Sequence, residues 1–187
     1  WMAFDNVPGI TDIQMTLGVL QELGLHCEQR GGSVRVYGRC RQGSVSEAYA
    51  AKIRSSVCFL GALLSRFTKV SVPLPGGDKI GDRPIDIHVD LIERFCGTVA
   101  IENGFVQITR PDQPLVGQEI YLRYPSVGAT INAIFLAVTA QGRSSITNAA
   151  KEPEIVDLIN LLCKMGAQIH GGGTDRIVIE GVSKLHP

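Results

Sequence analysis

Apolar residues recur at helical spacing in three places along this 187-residue chain. Ile13, Leu17, Leu20 and Leu23 form the first column, Ile85, Val89, Ile92 and Phe95 the second, and Ile155, Ile159, Leu162 and Met165 the third. Steps of four, three and three residues place each set on one face of an amphipathic helix. Each column runs out beside a glycine (Gly24, Gly97, Gly166), where a helix is expected to stop. Two β-prone runs around a turn then follow in every case. The turns are Arg30-Gly31-Gly32-Ser33, Glu102-Asn103-Gly104 and the segment His170 to Asp175, and Asn103-Gly104 is a strong hairpin signal.

Two stretches of a different kind lie between these repeats. Residues 46–67 and 127–140 are rich in Ala, Gly, Ser, Leu and Ile and show no sustained polar face, so each reads as a buried helix. Short strands are expected after them, at Val70–Val72 and Ser145–Thr147. The full unit is therefore strand, buried helix, strand, amphipathic helix, hairpin. A period of roughly 70 residues exceeds that of solenoid repeats and points to one closed α/β domain. The approximate units are 1–38, 39–110 and 111–187. The first lacks an opening strand and helix, so the chain is expected to be a piece of a longer protein.

Composition narrows the function. With 44% hydrophobic and 19% charged residues, the chain has the makings of an ordered core. Lys+Arg and Asp+Glu are both 18, and this absence of basic bias argues against nucleic acid as the main partner. No apolar run is long enough to span a membrane, and Trp1-Met2-Ala3-Phe4-Asp5 has no signal-peptide character. Five dispersed cysteines without metal-ligand spacing fit reduced thiols in the cytoplasm, and no metal site is expected.

The segment from Leu74 to His88 carries the most chemistry. It sets a lysine, an arginine and three aspartates among glycines and prolines, between a strand and an amphipathic helix. A plain connection needs only two to six residues. Arg83 and Pro84 open the helix, at an end whose free N–H groups attract anions. The segment is suited to holding a negatively charged substrate.

Several motifs occur in one order: Leu74-Pro-Gly-Gly-Asp-Lys-Ile-Gly-Asp-Arg-Pro-Ile-Asp-Ile-His88, Pro125-Ser-Val-Gly-Ala-Thr130 and Asn148-Ala-Ala-Lys-Glu-Pro-Glu-Ile-Val-Asp-Leu158. Weaker and collinear are Asn6-Val7-Pro8 with Asp12-Ile13, Ile53-Arg54-Ser55-Ser56 and Gly173-Thr174-Asp175-Arg176-Ile177. On these residues the chain resembles the enolpyruvyl transferases, and among them the bacterial branch that uses UDP-N-acetylglucosamine. The resemblance implies one half of a two-domain enzyme, an inside-out α/β barrel of βαβαββ units around buried helices. By the same resemblance the second domain is expected to lie outside this chain, which alone is expected to be a poor catalyst. The implied reaction moves the enolpyruvyl group of phosphoenolpyruvate to a hydroxyl of UDP-N-acetylglucosamine, an early step toward peptidoglycan. No cofactor is implied.

The same resemblance assigns residues. Asp78 stands where better-known members carry a cysteine that donates a proton and is captured by fosfomycin. A carboxyl group can donate a proton when burial raises its pKa, but cannot form the thioether. Its plain alternative is a solvated turn carboxylate. Arg83, Pro84, Ile85, Asp86 and Ile87 match the nucleotide-sugar contact segment, although Asp86 is also a first-turn carboxylate favoured by the helix dipole. Arg54 matches an arginine that reaches the substrates, with a packed surface arginine as its alternative. Ser126, Val127 and Gly128 match the diphosphate contact, and Ser126 has the plain role of a helix cap. Tyr124 stands where a lysine can occur, with Arg123 beside it. His88 reads as a structural histidine rather than a general base. Two rival functions remain: a related transferase acting on shikimate 3-phosphate or another nucleotide, and a non-catalytic binding module of the same fold.

Overall fold

Turn chemistry and helix periodicity build one arrangement three times. The structure, a computed structural model, describes residues 1–76, 85–95 and 97–187, so Asp78, Arg83 and Pro84 lie outside the described residues. The first group contains strand β1 (Met2–Phe4), helix α1 (Thr11–Glu22) and the hairpin β2–β3 (Leu25–Arg30, Ser33–Gly38). The second contains α2 (Glu47–Ala50), a 3-10 helix (Arg54–Cys58), α3 (Phe59–Leu64), β4 (Lys69–Pro73), α4 (Asp86–Phe95) and the hairpin β5–β6 (Thr98–Glu102, Phe105–Thr109). The third contains β7 (Glu119–Tyr121), α5 (Val127–Val138), β8 (Arg143–Thr147), α6 (Pro153–Lys164) and the hairpin β9–β10 (Gln168–His170, Arg176–Glu180).

Each group makes its own sheet, in the orders β1-β3-β2, β4-β6-β5 and β7-β8-β10-β9. The last hairpin strand always pairs antiparallel with the strand before the amphipathic helix. Strand β7 runs parallel to β8, and Ser44 bridges Ser71 in the same parallel sense beside β4. A strand, a buried helix and a parallel return strand thus recur in groups two and three, as a crossover requires. The Asn103-Gly104 turn has φ of 51° and 81° between the paired residues Glu102 and Phe105, the conformation that matches the twist of a tight hairpin. The predicted helix stops at Gly24 and Gly166 are also found, with φ of 95° and 100°.

Helix α5 lies at the centre. Ala133, Ile134, Leu136 and Ala137 are inaccessible to solvent, and the helix meets α3, α4, α6, β8 and β10. Its small residues allow close approach from α3. A Cβ added at Gly61 would stand 2.8 Å from the Asn132 carbonyl oxygen, so only glycine fits there without movement.

One expectation is corrected. Residues 46–67 are not one helix. The chain turns extended at Ile53 (φ −126°, ψ 143°), and the Ser56 hydroxyl then donates 2.8 Å to the Ile53 carbonyl in a 3-10 turn. Serine hydroxyls compete with helical bonding in this way. Gly76 packs over this break: a Cβ there would lie 1.5 Å from the Ala51 carbonyl oxygen. Helix α1 carries its predicted apolar face beside the core rather than within it. Its buried positions are Gly18 and Val19, with Gly18 seated under the Tyr49 ring. Ile13, Leu17 and Leu20 instead wall an apolar groove with Phe4, Val34 and Val36. No helix among the described residues is long and apolar enough to cross a membrane.

Candidate functional site

Three element starts converge around His88 and the first two turns of α5. The 3-10 helix begins at Arg54, α4 at Asp86 and α5 just after its cap, Ser126. The Ser126 hydroxyl accepts a bond from the Ala129 N–H (3.3 Å), so the capping role holds. The N–H groups of Val127 and Gly128 sit at the free end of the helix. Thr130, one turn in, donates to the Ser126 carbonyl and accepts from the Ala150 N–H, which ties the second buried helix to the 148–158 motif.

Arg123 joins α4 to the connection that leads into α5. Its guanidinium lies 2.5 Å from Asp86 and 3.2 Å from Asp90, with all three side chains about half exposed. The hydrogen bond from Arg123 holds the Asp86 carboxyl below its ordinary range, and Asp86 in turn raises the Arg123 guanidinium. Asp86 is therefore a carboxylate with a fixed cationic partner at a helix start.

His88 lies two residues further into α4 and is only 6% exposed. Its Nδ1 meets the Asn132 Nδ2 at 2.9 Å. The Asn132 amide also donates to the Val57 carbonyl (3.0 Å) and accepts from the Gly61 N–H (2.8 Å). This one side chain therefore links α5 to α4, to the 3-10 helix and to α3. Burial lowers the His88 pKa to about 4; Arg54 adds to the fall and Asp86 opposes it. The ring also borders α5, where a Cβ at Gly128 would stand 3.1 Å from the His88 Cε1.

Arg54, Asp86, Ile87 and Gly128 are thus gathered around His88. Ile85 and Ile87 turn their side chains into the core, at 7% and 3% exposure. Val127 is half-buried, and Tyr124 is 46% exposed beside Arg123. Asp78, Arg83 and Pro84 are outside the described residues. Two residues escaped the sequence reading. Arg123 was noted only as a neighbour, yet it is the cation that fixes Asp86. Asn132 left a readable signal, a lone amide in the apolar run Ile131-Asn132-Ala133-Ile134, where a buried polar group must find partners. Among the described residues, no cluster of three or more His, Cys, Asp or Glu could hold a metal ion.

Comparison with known proteins places the arrangement. The chain is 45% identical to a UDP-N-acetylglucosamine 1-carboxyvinyltransferase of Lactobacillus acidophilus, over 98% of its own length and 43% of that protein. It is 43% identical to the enzyme of the same name from Gluconobacter oxydans, over 99% of this chain and 44% of the relative. The chain therefore spans less than half the length of these relatives. Among solved structures, the enolpyruvyl transferase NikO from Streptomyces tendae superposes with a TM-score of 0.84 at 21% identity, over 98% of this chain and 44% of that one. An EPSP synthase from Acinetobacter baumannii superposes at 0.73 with 19% identity, over 99% of this chain and 42% of that one. Both share the mixed α/β fold. The family profile described as EPSP synthase (3-phosphoshikimate 1-carboxyvinyltransferase) matches residues 3–187, and the chain belongs to that family of enolpyruvyl transferases.

Proposed function

We propose that this chain is the nucleotide-sugar-binding domain of a UDP-N-acetylglucosamine 1-carboxyvinyltransferase. One observation carries the reading. The 53–56, 85–88 and 125–130 segments are far apart in sequence and belong to motifs shared with enolpyruvyl transferases, yet they meet around His88 and Arg123. The 40–45% identity to proteins of that name supports it. In this reading Arg54, Arg83, Asp86 and the start of α5 receive the nucleotide diphosphate and sugar, with Ile85, Ile87, Pro84 and Tyr124 bordering them. A second domain, supplied by the remainder of a longer protein, completes the cleft and the phosphoenolpyruvate site. The setting is the cytoplasm, where peptidoglycan precursors are made.

The chemistry is addition followed by elimination. A proton goes to the vinyl carbon of phosphoenolpyruvate while the sugar hydroxyl attacks the adjacent carbon and releases its own proton to solvent. Loss of phosphate and of one proton from the methyl group then restores the double bond. Asp78 is the proposed donor, acting as a neutral carboxylic acid. The cations offset charge on the phosphate that departs.

Calorimetric titration with UDP-N-acetylglucosamine tests the binding half. The expected result is a saturable heat that weakens at least tenfold in Arg54→Ala and in Arg123→Ala. Equal affinity in both variants would remove this face from the substrate site. Shikimate 3-phosphate is the control: tight binding of that ligand in place of the nucleotide sugar favours the rival acceptor, consistent with the name of the matched family profile.

A further inference from the structure

The Asn132 side chain has its orientation decided by two main-chain groups. The Gly61 N–H, 2.8 Å away, requires an acceptor, and the Val57 carbonyl, 3.0 Å away, requires a donor. The amide oxygen must therefore face Gly61 and the amide nitrogen Val57. That same nitrogen lies 2.9 Å from the His88 Nδ1. An NH2 group has hydrogens to give and no lone pair to offer, so the His88 Nδ1 must be the acceptor.

We infer that Asn132 is a positioning residue: its amide holds His88 as the neutral tautomer protonated on Nε2, and so turns an N–H donor toward the first turn of α5. The Nε2 atom is 3.4 Å from where a Cβ on Gly128 would be, and it has no hydrogen-bond partner among the described residues. Protonating Nδ1 would set a hydrogen against the Asn132 amide hydrogens, so the ring resists becoming a cation. Among the described residues, the charged groups that act on it are Arg54, from the 3-10 helix, and Asp86, from its own helix. Helices α3 and α5 contribute none. His88 is therefore a neutral donor in a place where a second cation beside Arg54 would alter charge selectivity.

What this donor meets rests on the nucleotide reading above: an acceptor oxygen of UDP-N-acetylglucosamine bound at the start of α5. A neutral donor there recognises an oxygen without adding net charge, and keeps doing so throughout the physiological range of pH.

The test is long-range proton–nitrogen NMR of the full chain labelled at histidine. The His88→Gln spectrum identifies the His88 signals among the four histidines. The expected pattern is the Nε2–H tautomer at neutral pH, with protonation delayed well below the ordinary histidine range. In Asn132→Asp, a carboxylate faces Nδ1, so the ring should protonate there and its proton affinity should rise more than tenfold. An Nδ1–H tautomer in the unsubstituted chain, an ordinary titration, or an unchanged spectrum in Asn132→Asp each overturns the inference. If Asn132→Asp fails to fold, the unsubstituted chain alone decides. Adding UDP-N-acetylglucosamine should shift the His88 Nε2 resonance. Calorimetric binding with that resonance unmoved overturns the ligand-facing role, whereas absence of binding overturns the nucleotide reading and leaves the tautomer to be judged on its own spectrum.

Discussion

Acidification should cost this fold stability through His88. The folded chain holds this imidazole neutral down to about pH 4, against an ordinary value of 6.5, because burial disfavours the cation and Arg54 repels it. The unfolded chain therefore binds more protons than the native one between those two values, and stability must fall as pH drops through that window. Above it the contribution is fully present; below it the loss is complete. Each pKa unit corresponds to about 1.4 kcal/mol, so the whole loss is about 3 kcal/mol, most of it felt by about pH 4.5. The side chain is 6% exposed, so solvent screening does little to reduce this figure. Urea unfolding of the unsubstituted chain and of His88→Gln, each near neutral pH and near pH 4.5, isolates the effect. The unsubstituted chain should lose about 2 kcal/mol more than the variant on acidification. Identical losses would show that His88 titrates alike folded and unfolded, and would refute the buried neutral imidazole.

Three other outcomes follow from geometry already described. Gly61→Ala drives a methyl to 2.7 Å from the Asn132 amide oxygen and 2.8 Å from its carbonyl oxygen, and should lower stability by about 1–3 kcal/mol in the same urea assay. Arg123→Ala removes the hydrogen bond that depresses Asp86, so carboxyl-detected NMR should find the Asp86 titration moved upward toward its ordinary range. Fosfomycin should leave the peptide around Asp78 unmodified by mass spectrometry, because a carboxylate cannot form the thioether adduct; a stoichiometric mass gain there would contradict it.

Much of the fold was legible because its signals are local. The amphipathic columns of α4 and α6, the glycine stops and the Asn103-Gly104 turn each depend on neighbours within a few residues. The apolar run that became α5 was equally plain. The break at Ile53 was hidden, since Ala, Ser and Leu around it suit a helix and the interruption answers to Gly76 crossing over Ala51. The groove beside α1 was also hidden, because periodicity gives a helix an apolar face without saying what covers it. At the site, the motifs nominated Arg54, Asp86 and Gly128 one at a time. Their meeting point depends on Arg123 and Asn132, whose partners are distant in sequence and invisible to spacing rules.

The Asn132 amide also bears on the order in which the chain folds. Its partners Gly61, Val57 and His88 are 71, 75 and 44 residues away, whereas each hairpin closes on itself across a short turn. Long closures are the slow part of folding, and contacts made across them come after local ones. The three hairpins can therefore form early and independently, with the amide latching only once α3, α4 and α5 have docked. The Gly61 N–H, shut against that latch, becomes a native reporter: its hydrogen exchange should track complete unfolding, and in refolding it should gain protection after the hairpin amides of β5 and β6.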